Sequence, residues 1–170
     1  MAQISTEVLG DERGTLLAFV ESQRAALRET LLGLDAQQAA SRPSASELSL
    51  SGLLKHVAEC ELSWLRMAQQ RPNELGRTEE NYGESFRLVE GESVDSVLAF
   101  WDGVRQETEA FVAAVPALDQ TFPLPPAPWF PQDGKVSIRW MLLHLVEEFA
   151  RHAGHADIVR ESIDGTKAMG

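Results

Sequence analysis

Residues 137–163 read as one long amphipathic helix whose apolar face carries two groups it cannot bury without partners. At ~100° per residue, Ile138, Met141, Leu142, Leu145, Phe149, Ala156 and Val159 fall on one side. Arg139, Glu147, Arg151, Asp157 and Glu161 fall on the other. Glu148 and His152, one turn apart, project into the middle of the apolar set, with His144 and His155 at its edge. An unpaired carboxylate or imidazole in such a place costs about several kcal/mol. The chain must therefore fold so that something meets them, and a divalent metal completed by His56 is the expected partner.

Three more helical patterns precede this one. The first runs from about Asp11 to Leu34, with Leu16, Leu17, Val20, Ala26, Leu27 and Leu31 at helical spacing. A connector to Ser46 has room for a short turn of helix around Asp35–Ala40. The second begins after Ser49 or Ser51 as N-cap and ends near Gln70, before Arg71-Pro72. On it, Leu50, Leu53, Val57, Cys60, Trp64 and Met67 form the apolar arc, and Lys55, Glu59, Arg66 and Gln69 form the wet one. His56 stands on the shoulder of the buried face. The third starts at Ser93, carries Val94, Val97, Leu98, Trp101, Val104, Thr108, Phe111 and Val112, and stops at Pro116. Residues 71–92 read as a long polar loop or crossover. Residues 116–136 hold most of the eight prolines plus Trp129 and Phe130, and a loop of that length is expected to be functional. The expectation is an all-α four-helix bundle with long crossover loops, forming one domain over residues 1–170.

Composition excludes several functions. A net charge of −11 repels phosphate backbones and anionic lipid, and no Lys/Arg cluster offsets it, so neither nucleic acid nor membrane is an expected partner. No apolar run approaches the ~20 residues of a membrane span. The N-terminus lacks the basic and apolar regions of a signal peptide, and the lone Cys60 suits a reducing compartment, so a cytoplasmic location is expected.

Simpler readings of the histidines exist. A core imidazole commonly bonds a carbonyl, and Glu148 and His152 can pair with each other at i,i+4. Against these, all four histidines lie near predicted buried faces, and facing helices of a bundle are where inward carboxylate and imidazole ligands build metal sites. Three protein ligands leave positions open for water or substrate. HExxH is absent, so the zinc-protease arrangement is not available. Cys60 reads as a small core residue. Leu143, Val146 and Ala150 fall on the charged arc of the last helix and mark a candidate homodimer surface.

The segment from Val136 to Gly165, with its Glu148-x-x-x-His152 pair, closely resembles the actinobacterial branch of the DinB/YfiT-like superfamily. Leu53-Leu-Lys-His-Val-Ala-Glu-Cys-Glu-Leu-Ser-Trp64 looks like that family's second-helix motif. The resemblance spans nearly the whole chain. It implies a four-helix bundle and a metal triad of His56, Glu148 and His152, with Glu148 standing where many members have histidine. The related mycothiol-dependent maleylpyruvate isomerases share that change and bind zinc. Zinc is thus the expected metal, with nickel or iron as alternatives that two imidazoles and a carboxylate also suit.

The resemblance further implies a transferase or isomerase that uses a low-molecular-weight thiol such as mycothiol. The expected function is a metal-dependent thiol S-transferase that holds the cofactor as thiolate beside an electrophile. His144 and His155 are candidate supports of the ligands, and Trp129, Phe130 and Tyr82 candidate walls of the substrate pocket. The alternative is a non-catalytic metal- or ligand-binding stress-response bundle.

Overall fold

Each long helix begins where a short polar side chain can satisfy its first free N–H groups. The computed structural model describes residues 11–128 and 130–166. Asp11 caps α1 (Glu12–Glu29), Ser49 caps α3 (Leu50–Gln69), Ser93 caps α4 (Val94–Ala114) and Ser137 caps α5 (Ile138–Asp164). Ser93 and Ser96 close a reciprocal capping box. Between α1 and α3 lies the short α2 (Ala36–Ala40). Gly165, at φ 79°, ends α5 in the left-handed conformation that glycine adopts without a side-chain clash.

The four long helices close into a ring in which α1 packs on α5, α5 on α3, α3 on α4, and α4 on α1. Their apolar arcs meet in one core built around Val20, Leu27, Leu53, Val57, Trp101, Met141, Leu145 and Phe149. Trp101 and Phe149 meet edge to face at 5.7 Å. The all-α bundle expected from periodicity is the observed fold. No helix of the described residues is long and apolar enough to cross a membrane.

Two connectors hold more structure than the sequence suggested. Thr121–Pro123 (β1) and Lys135–Ser137 (β2) pair antiparallel, Phe122 opposite Val136, so the proline-rich loop is a hairpin. Within residues 71–92, Tyr82–Phe86 form a 3-10 turn that packs on α3. That packing corrects one expectation. Lys55 and Glu59, expected on the wet arc, are buried because residues 77–92 fold over them. Lys55 donates to the Arg87 carbonyl at 3.2 Å and to Glu92 at 2.6 Å, and Glu59 pairs with Arg77.

One ion pair crosses the bundle interior. Arg24 of α1 and Glu61 of α3, both fully buried, form a two-pronged bridge, and Trp101 Nε1 donates to Glu61 Oε2 at 2.8 Å. Burial alone would lower the Arg24 pKa, but Glu61 and Glu21 outweigh it and raise it.

Candidate metal centre

α3 and α5 run past each other in opposite directions, which sets His56 level with Glu148 and His152. The Glu148 Oε1 atom lies 3.2 Å from His56 Nε2 and 3.1 Å from His152 Nε2. One ligand atom from each of the three residues lies within 4.8 Å of the others. Metal–ligand bonds of about 2.1 Å place neighbouring donor atoms about 3.0–3.4 Å apart at octahedral to tetrahedral angles. The two oxygen–nitrogen separations fall in that interval, and two imidazoles with one carboxylate are an established donor set for a divalent cation. The three ligand atoms spread to 4.8 Å, wider than the about 4.2 Å that two such bonds span. A shared metal therefore asks for a small inward shift of the side chains on helices already in place.

Without a metal the same atoms hold together by hydrogen bonding, each protonated Nε2 donating to Glu148. Donation from His152 and then His56 outweighs burial and holds the Glu148 carboxyl well below the usual carboxylate range. His155 reaches His152 on the far side, Nδ1 to Nδ1 at 3.4 Å. Burial, with the His152 and Arg151 charges, lowers the His155 pKa. That shift favours neutral His155, whose unprotonated Nδ1 can accept a hydrogen bond from His152 Nδ1–H whenever Nε2 serves as a ligand.

His144 is placed differently. Its ring stacks on Trp140 at 5.1 Å and meets Trp64 edge-on at 4.7 Å. It belongs to an aromatic cluster further along the α3–α5 groove, which also takes in Phe130, 6.2 Å from Trp64. Tyr82 is half exposed and meets Phe86 at 6.1 Å. Trp129 lies outside the described residues. The hairpin from Thr121 to Lys135 encloses an open cavity of about 790 Å³ with Phe130 in its wall. None of the three triad residues lines that cavity. Leu143 and Ala150 are exposed, whereas Val146 is half-buried and packs against the core.

Sequence reasoning missed Phe86, whose ring stacks on His56 at 4.0 Å and 17°. Its signal was slight: an aromatic residue four places after Tyr82 in an otherwise polar run. It also missed the clamp beneath. Burial raises the Glu92 pKa, but the Lys55 hydrogen bond and the Val89 N–H outweigh it and leave the carboxyl below its ordinary value. A carboxyl depressed in the folded state adds stability above its unfolded pKa of about 4.3, and that stability is lost as pH falls through the folded value. Wild type should therefore melt above Glu92→Gln at pH 7, with the difference shrinking towards pH 3. A constant difference in melting temperature would mean that the charge contributes nothing.

The family model described as Mycothiol-S-transferase matches residues 15–165. Among solved structures, one described as "Crystal structure of the conserved protein of locus from Enterococcus faecalis" superposes with a TM-score of 0.71. The match has 14% identity and covers 91% of this chain and 98% of that chain, a likeness of fold alone. No curated protein matches the chain.

Proposed function

The chain belongs to the mycothiol-S-transferase family, and on that premise we propose that it joins a mycothiol-type thiol to an electrophile at a divalent metal held by His56, Glu148 and His152. Zinc is the metal the donor set suits first. The observation that carries this reading is the convergence of three ligand atoms, from two helices, within 4.8 Å of one another. A bound divalent cation supplies Lewis acidity that lowers the pKa of a thiol and so provides a thiolate at neutral pH.

The chain's own residues prepare that chemistry. Glu148 brings a formal negative charge that remains ionised at every physiological pH, since its carboxyl sits below the ordinary range. His152, ligating through Nε2, would carry its proton on Nδ1 and donate a hydrogen bond from it to His155, which fixes the tautomer and increases the basicity of the ligand. Three protein ligands leave the remaining positions to the thiol. Transfer forms a sulfur–carbon bond with the electrophile. The thiol proton goes to solvent, and the electrophile's leaving group departs or, in an addition, its carbon takes up a proton. Phe130, Tyr82 and Trp129 are proposed walls for the electrophile. The location proposed with this function is the cytoplasm.

Conjugation of an electrophile with mycothiol tests the reading. Wild type is expected to turn over, to lose activity when the metal is stripped with a chelator, and to recover it on addition of zinc. His152→Ala should stay inactive under all three conditions. Equal rates for stripped protein, His152→Ala and wild type would rule out a metal-assisted transfer at this triad.

A further inference from the structure

We propose that Phe86 is the positioning residue for His56, and that residues 77–92 are clamped onto α3 so as to hold its ring there. The inference rests on the metal-centre reading above and deepens it. A metal-ligating imidazole is commonly fixed by a hydrogen bond at its second nitrogen, and His155 stands in that place for His152. For His56 the structure supplies a flat ring, stacked at 4.0 Å and nearly parallel, with the Phe86 centroid also 6.4 Å from that of His152.

Independent features of the chain make this contact. Gly52 lies one turn before His56, and a Cβ there would stand 2.1 Å from the Phe86 carbonyl oxygen. The missing side chain is what lets the Phe86 backbone approach α3. Lys55 and Glu59, either side of His56 in sequence, are both buried and both paired with the segment that carries Phe86. Lys55 holds the Arg87 carbonyl and Glu92, while Glu59 accepts from Arg77 Nε at 2.8 Å. Glu92 in turn accepts from the Val89 N–H at 2.8 Å, and buried Ser85 donates to the Tyr82 carbonyl at 2.8 Å.

A buried charge is strongly penalised when its partner is withdrawn, so the two clamps define one register of the segment on α3. In that register the His56 ring has lost its rotational freedom with Nε2 already aimed at Glu148 Oε1. Metal binding then pays less ordering entropy, which appears as affinity.

Cobalt titration of metal-free full-length protein, followed by its visible absorption bands, reads this directly. Phe86→Leu keeps an apolar side chain without the stacking plane, and Phe86→Tyr keeps the plane. The leucine variant is expected to bind cobalt about 10–100-fold more weakly, the usual cost of losing an outer support, and to shift the bands. The tyrosine variant should restore both. Gly52→Ala, which displaces Phe86 by a separate route, should weaken cobalt in the same direction. Equal affinity and identical bands in wild type and Phe86→Leu would overturn the proposal.

Should wild type itself take up no cobalt, the metal-centre reading fails and the positioning is decided in the metal-free protein by proton NMR. There the His56 ring protons are expected upfield from stacking in wild type and Phe86→Tyr, and at ordinary positions in Phe86→Leu. Unchanged shifts across the three proteins would overturn it.

Discussion

Glu148→Ala is expected to abolish thiol transfer and to weaken metal binding by more than the about 100-fold that loss of an outer support reaches. Its Oε1 is the atom that both His56 Nε2 and His152 Nε2 face, so alanine removes the proposed carboxylate ligand and the centre of the arrangement together. Two imidazoles then remain without the anionic donor that balances the cation's charge. Glu148→Gln separates charge from shape, because the amide occupies similar space and retains a neutral oxygen. It should bind metal better than alanine and worse than wild type. Calorimetric titration with zinc and the mycothiol conjugation assay check both variants. Retention of wild-type affinity in Glu148→Ala would remove the carboxylate from the ligand set.

The largest stability effect is expected outside the triad, at Glu61→Ala. Arg24 is completely buried and its guanidinium is met by Glu61, which also accepts from Trp101 Nε1. Alanine leaves a buried cation and an indole N–H without their shared acceptor. Breaking a buried pair on one side costs about 3–5 kcal/mol. At about 2–4 °C per kcal/mol for a chain of this size, the melting temperature should fall by roughly 6–20 °C. Replacing both partners by apolar residues, Arg24→Met with Glu61→Leu, should recover most of that loss, since a buried pair repays little more than its own desolvation. Thermal melts of the metal-free proteins give both numbers. A single variant as stable as wild type would show that the pair is idle.

The helices and most of their ends were legible because they depend on local chemistry, the exception being α1, which stops at Glu29 and not near Leu34. Ser49, Ser93 and Ser137 announce N-caps by side chain alone, and Gly165 announces a left-handed stop. The angular sorting of α5 was legible for the same reason, and it directs Glu148 and His152 to the side where α3 supplies His56. What periodicity could not show is which polar arc another segment will cover. Lys55 and Glu59 carry every mark of a wet face, and only the fold of residues 77–92 buries them. Phe86 was hidden likewise, since its contact depends on the absence of a side chain at Gly52, thirty-four positions earlier. Arg24 was closer to legible: it stands at helical spacing from Val20 and Leu27, a charge on an apolar face that needed a partner. The hairpin around β1 and β2 gave no alternating pattern long enough to read, being three residues per strand.

The central claim is that His56, Glu148 and His152 jointly hold one divalent metal. Elemental analysis of untagged protein, stripped and reloaded with zinc, tests it most directly when run beside His56→Ala, Glu148→Ala and His152→Ala. The expected result is about one zinc per chain in wild type, set by three ligands converging on one point, and a large loss in each variant after dialysis. Wild type that retains no zinc, or variants that retain as much as wild type, would contradict it.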